Sequence, residues 1–421
     1  MAVNNQVVVC DVCETEVLVK FQVGVLDVYP VYYSCPTCLT NIYGNISIDH
    51  DKGMLTFKLQ NATNKNGMEG SYILVLSGEF PSIKMIPFTE ETFKASLFSP
   101  FIRYSPHSAK AHRAYEVLLQ FVPLFINDEW KKVERITNLY FNGQDIYLES
   151  EIEKLRESPR INMSPYEKDS SVSKLVTTIF REMVLCKPLS VVSDDDLTYR
   201  LDSFKQNNPN EYEEFLCFST RDDLLRVQKS LFTLFDAFAN HYRYLSPVVY
   251  LEGKGELISE VKNHEGLNTV SFDLLDRLYQ NTFETLLANS TICLMLDNLL
   301  VRGSIHSMNP SIQVRNRPVV TLQDYMSLTN GQKLKYLSDE TNIISHVFTD
   351  ILDNDLRNPI GHNNYSYDPN SQLIHFHSNR SNQPPKVMYL IEFADKCFQT
   401  MKVNLLLWDL TVLIRKLITQ R

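Results

Sequence analysis

The chain has 421 residues, 44% hydrophobic and 22% charged, with a formal net charge of −9. That is ordinary globular composition, long enough for two or three domains with real cores. The acidic balance excludes a protein that coats nucleic acid through overall charge, so any such contact has to be local and selective.

The first residues, MAVNNQVVVCDVCE, carry neither the basic start nor the small-residue cleavage site of a signal peptide. The most apolar run, 404–414, is too short to span a bilayer and carries Asp409. The expectation is a cytoplasmic protein with no membrane partner.

Residues 1–90 alternate β-branched and aromatic residues between Gly, Asn and Pro turns, which predicts strands. Near residue 105 the pattern turns helical, with a kink expected at Pro123. Residues 145–212 are polar and read as helices with exposed loops. From 213 onward helices dominate. Ser219 or Thr220 can cap a helix whose first turn holds Asp222 and Asp223. Further long helices are predicted over 271–301, 339–356 and 387–417, which together make a bundle. Between the last two, YSYDPNSQLIHF predicts a β-hairpin around Asp-Pro-Asn-Ser. The fold class is α+β: a β-rich domain over 1–95, a helical middle over 96–212, and a helical bundle with a hairpin insertion over 213–421. No internal repeat is visible at this level.

Eight cysteines stand at 10, 13, 35, 38, 186, 217, 293 and 397. Cys10-x2-Cys13 and Cys35-x2-Cys38 are separated by 21 residues. Two such pairs complete a tetrahedral thiolate site, so they predict one structural Zn2+ in a zinc ribbon, with no open position for catalysis. A redox pair would need a βαβ pattern after the motif, and none follows. The other four cysteines read as lone thiols.

The stretch LDNDLRNPIGH ends the predicted 339–356 helix. Ile344, Val347, Phe348, Ile351, Leu352 and Leu356 share one face. His346, Asp350, Asp353 and Arg357 form a stripe opposite, with Asp353 one turn below Arg357 to orient its guanidinium. Pro359 predicts a helix stop at Arg357 or Asn358, and Gly361 a positive φ that turns His362 back towards Arg357. Taken alone, these residues also suit an ordinary helix end, with Arg357 serving the dipole and His362 a carbonyl.

Arg357, Asn358 and His362, with four residues between the arginine and the histidine, a tyrosine-bearing hairpin and a long final helix, resemble the HEPN superfamily. The resemblance covers about residues 213–421, and Pro359 departs from the family's usual small residue there. It implies a metal-independent endoribonuclease that dimerises through the bundle and brings two Arg–His sets into one cleft. It implies roles for Arg357, Asn358, His362 and Asp353, transfer or messenger RNA as substrate, and no catalytic metal. It also implies a bacterial toxin or antiphage abortive-infection effector, whose N-terminal half senses a phage or cellular trigger protein. The residue types suit that chemistry. RNA supplies its own 2′-hydroxyl nucleophile, an imidazole moves protons near neutrality, and a guanidinium holds phosphate charge.

Two other readings stand beside it: a non-catalytic dimerisation and RNA-binding adaptor with zinc-ribbon recognition, and a zinc-ribbon DNA-binding regulator. No basic helix-turn-helix pattern supports the last. His375 and His377 share one face of the hairpin and offer RNA contacts or plain exposure. Tyr365 and Tyr367 read as core rather than base-stacking residues. Asp194–Asp196 read as a helix start rather than a metal triplet, and Gly253-Lys254-Gly255 lacks phosphate-loop spacing. Lys402, Arg415 and Lys416 on the last helix are the remaining candidates for RNA contact.

Overall fold

The computed structural model describes residues 3–420 except 25, 50, 98, 105–107, 127–128, 157–164, 184–193, 256–257, 315–316, 319–320 and 379–383. Cys186 lies outside the described residues. The fold is mixed α+β, with N-terminal strands, a helical middle and a long C-terminal helix.

Two compact units are each assembled from three stretches of chain. The first comprises 1–127, 240–279 and 355–398, and the second 128–239, 280–354 and 399–421. The expected segments 1–95, 96–212 and 213–421 are consecutive, whereas the units interleave along the chain.

In the first unit, β1 (Val3–Cys10), β2 (Glu16–Gln22), β6 (Ala62–Lys65), β7 (Tyr72–Leu76) and β8 (Ile86–Pro87) form a five-stranded sheet in the order β6-β1-β2-β7-β8. β2 and β7 run parallel, and the other pairs are antiparallel. A second sheet is the meander of β3 (Val28–Ser34), β4 (Asn41–Asp49) and β5 (Met54–Gln60). Val8, Leu18, Phe21, Tyr29, Ile46 and Ile73 are fully buried. Phe21 packs edge-on against Tyr29, with ring centres 5.0 Å apart. Such a pair adds about 0.5–1.5 kcal/mol beyond its buried area. The predicted hairpin forms, as Tyr365–Asp368 against Leu373–Phe376. A third strand, Lys386–Tyr389, pairs with it where helix was expected, so the last helix begins at Leu390.

The second unit is helical. Thr220 caps the Arg221–Lys254 helix as predicted: its hydroxyl accepts from the Asp223 N–H at 3.1 Å, and the Asp223 carboxylate accepts in return from the Thr220 N–H at 3.1 Å. The predicted 271–301 helix is two helices, Phe272–Ala288 and Thr291–Arg302.

The predicted 339–356 helix is also broken. The fully buried Asp297 carboxylate accepts the N–H groups of Ile343, Ile344 and Ser345 at 2.8–2.9 Å. Those N–H groups are therefore held by a side chain, and helix starts only at Val347. It stops at Ile351, because Leu352 is extended (φ −96°, ψ 130°), and resumes as Asn354–Gly361. All six residues of the predicted apolar face are nonetheless buried.

The Leu390–Thr419 helix is long and apolar enough to cross a membrane by length and composition. Its most apolar window is 72% buried inside the protein, as in a core helix. Arg415 is 1% exposed, and among its contacts is an ion pair to Asp169 at 3.0 Å. It is therefore not available as a surface contact, whereas Lys416 is exposed.

Candidate functional site

The two cysteine pairs come together. Each sits in a hairpin turn, one between β1 and β2, the other between β3 and β4. The turns have the same construction. Cys10 N–H donates to Thr15 O at 3.0 Å, and Cys35 N–H to Thr40 O at 2.8 Å. Glu14 N–H closes on Cys10 O, and Leu39 N–H on Cys35 O, both at 3.0 Å. Glu14 (φ 58°) and Leu39 (φ 61°) take the left-handed conformation that lets each chain reverse. Cys-x-x-Cys-x-Thr, at 10–15 and 35–40, is thus one short structural repeat. It is visible in the sequence only once the threonine is counted with the cysteines.

The sulfurs of Cys10 and Cys38 lie 3.6 Å apart and those of Cys13 and Cys35 3.4 Å apart. All four lie within 4.8 Å of one another. Zinc–sulfur bonds of about 2.3 Å in a tetrahedron require sulfurs about 3.8 Å apart, so the cluster fits one zinc ion. The Thr40 hydroxyl, 3.2 Å from Cys38 Sγ, and the Thr40 N–H hold that thiol down to about 6. Thr15 lowers Cys13 in the same way, while burial raises Cys10 and pushes Cys35 up to about 12. The Thr15 hydroxyl also donates to Thr37 Oγ1 at 2.9 Å and ties one turn to the other.

Arg357, Asn358 and His362 lie at the end of the Asn354–Gly361 helix. Contrary to the sequence expectation, the helix does not stop at Arg357 or Asn358; it runs through Pro359 to Gly361. Pro359 is the sixth of its eight residues, so the helix forgoes the one bond that an N–H there would make to the carbonyl four residues back. The chain reverses at Asn363 (φ 51°) and not at Gly361. Asn364 N–H reaches back to Pro359 O at 2.8 Å, and Asn363 N–H to Ile360 O at 3.0 Å. These are the two bonds of a Schellman turn, with His362 as its cap residue.

A Cβ at Gly361 would stand 3.8 Å from Arg357 Nη1, an ordinary contact distance, so the guanidinium lies beside this residue without requiring a glycine. Arg357 Nη1 also donates to Asn358 Oδ1 at 3.3 Å. Arg357 is half-buried, and Asn358 and His362 are exposed. Asp353 falls in the non-helical break directly before this helix, so no single continuous helix carries His346, Asp350, Asp353 and Arg357.

The hairpin is anchored on both sides. Tyr365 and Tyr367 pack on Phe272, with ring centres at 4.9 and 5.4 Å, and burial raises the Tyr367 hydroxyl well above its usual range. Their expected core role therefore stands. At the turn, Asn370 Nδ2 donates to Pro36 O of the second cysteine turn at 3.3 Å. The Gln372 amide bridges the Leu267 N–H and C=O at 2.9 and 2.8 Å. At the other end, His377 N–H donates to Asn364 O at 2.9 Å. No sequence pattern signals the roles of Asn364, Asn370 and Gln372, because their partners are distant along the chain.

No protein family, curated protein or solved structure matches this chain.

Proposed function

We propose that this chain is a metal-independent endoribonuclease of HEPN type, in which Arg357, Asn358 and His362 act on an RNA phosphate and the four-cysteine cluster holds a structural zinc ion. The observation that carries the reading is the joint presentation of Arg357, Asn358 and His362 on one helix end fixed by a Schellman turn. His362 takes the proton of the 2′-hydroxyl as that oxygen attacks phosphorus. Arg357 binds the phosphate and holds the added charge of the pentacoordinate transition state. Asn358 steadies the guanidinium. Four thiolates fill the zinc tetrahedron, so the ion braces the fold and leaves no position for substrate. The biological setting of this reading is a toxin or antiphage effector that acts on transfer or messenger RNA as a homodimer.

The test incubates the zinc-loaded protein, His362→Ala and Arg357→Ala with total RNA in EDTA and maps the new ends. The wild type is expected to leave 5′-hydroxyl and 2′,3′-cyclic phosphate ends. Each variant is expected to lose at least about 100-fold in rate, the low end of general acid–base catalysis. Their melting should stay within about 0.5 kcal/mol of wild type, because neither side chain is core. Cleavage at the wild-type rate by both variants would refute the assignment. RNA binding without cleavage by the wild type would favour the adaptor instead.

A further inference from the structure

We propose that His377 is the general acid of this site, so that a single chain carries both proton-transfer groups of RNA cleavage. The inference rests on the endoribonuclease reading above and deepens it.

Cleavage by a 2′-hydroxyl needs two proton transfers, one from the nucleophile and one to the departing 5′-oxygen. His362 can make only one of them in each event. His377 stands just past the Leu373–Phe376 strand, beside the motif turn. Its N–H donates to Asn364 O, and its carbonyl accepts from Asn364 Nδ2, both at 2.9 Å. Asn364 is two residues beyond His362 and is itself tied to Pro359 O by the Schellman turn. One rigid bracket therefore carries both histidines. A paired backbone spacing of about 5.5 Å and two residues of about 3.3 Å put their backbones within about 12 Å, close enough to flank one phosphate.

The His377 ring also engages the hairpin. Its Nε2 lies 3.3 Å from Ser366 Oγ. Ser366 and His377 lie on the face opposite Tyr365, Tyr367, Ile374 and Phe376, whose face packs on Phe272. Ser366 is exposed, His377 is half-buried, and Val387 on the third strand is 47% exposed. Engaging Nε2 on a hydroxyl orders the ring and leaves Nδ1 to exchange a proton.

The step balances without a cofactor. The 2′-oxygen bonds to phosphorus as its proton passes to His362. The bond from phosphorus to the 5′-oxygen breaks as the His377 imidazolium protonates that oxygen. The two histidines then return to their starting states by proton exchange with solvent.

The test compares wild type, His377→Ala, Ser366→Ala and His362→Ala on one defined RNA. Each is assayed on a normal 5′-oxygen at the cleavage point and on a bridging 5′-sulfur, which departs as a thiolate without a proton. His377→Ala is expected to lose at least about 100-fold on the oxygen substrate and to recover to within about tenfold of wild type on the sulfur substrate. Ser366→Ala removes only the ring's hydrogen-bond partner, so it should show a smaller loss with the same rescue. His362→Ala should lose on both substrates. Mixing His362→Ala with His377→Ala should restore nothing. Wild-type cleavage of the oxygen substrate by His377→Ala, an equal loss on both substrates, or recovery on mixing each overturns the assignment while the endoribonuclease reading stands. A wild type that leaves both substrates intact overturns that reading, and this assignment with it.

Discussion

Cys38→Ser removes one of the four thiolates that link the two turns. A metal held by the cluster would cross-link Cys13 and Cys35, which are 22 residues apart. A cross-link of that span restricts the unfolded chain by about 3 kcal/mol. Metal binding adds to that, because the free energy of structural zinc sites, about 10–16 kcal/mol at neutral pH, is folding free energy. A loss of at least about 3 kcal/mol corresponds to a fall of about 6–12 °C in the melting temperature, at about 2–4 °C per kcal/mol for a unit of this size. The assay is paired: metal content of the reduced protein purified under argon, and thermal melts of wild type and Cys38→Ser with one equivalent of zinc. Wild type should carry one zinc per chain, and cobalt substitution should give a thiolate-to-metal charge-transfer band. A wild type that neither holds zinc nor binds cobalt, and that melts with the variant, would refute the metal site.

Gly266→Ala would place a Cβ 2.5 Å from Gln372 Oε1, whose amide is buried and bonded to Leu267 on both sides. Urea melts should show a loss of about 1–3 kcal/mol, most of it absent when the substitution is made in Gln372→Ala, since the clash then has no partner. Asp297→Ala strands three N–H groups, two of them fully buried, and the Ser345 hydroxyl, which donates to it at 2.6 Å. Equilibrium unfolding should register about 3–5 kcal/mol, with a smaller loss for Asp297→Asn, which keeps one acceptor oxygen. Burial holds the Lys84 ammonium down to about 8 from an ordinary 10.5, against the opposing pull of Glu392 and Glu265. The unfolded chain therefore binds more protons between those values, and stability rises with pH across that window. Lys84→Met should flatten that rise in melts taken from pH 8 to 10.

The Cys-x-x-Cys pairs were legible because a metal site needs only the right ligands at a turn's spacing, and both turns are local. The hairpin was legible for the same reason, through Asp-Pro-Asn-Ser and the alternation around it. Helical periodicity identified Ile344, Val347, Phe348, Ile351, Leu352 and Leu356 as buried. It did not establish that one continuous helix carries them. Continuity depends on where the backbone N–H groups go, and a carboxylate 46 residues upstream of Ile343 takes three of them. The motif turn follows the same logic. Composition made Gly361 the natural reversal point, yet the reversal falls at Asn363. The chain's own chemistry therefore determined which cysteines cluster, which apolar residues are buried, and that Arg357, Asn358 and His362 share one helix end. Only the tertiary structure decided that His377 stands beside that end, that Arg415 is buried, and that each of two compact units is assembled from three stretches of chain. Those outcomes depend on hydrogen bonds and packing between residues far apart in sequence, and local pattern carries no record of such partners.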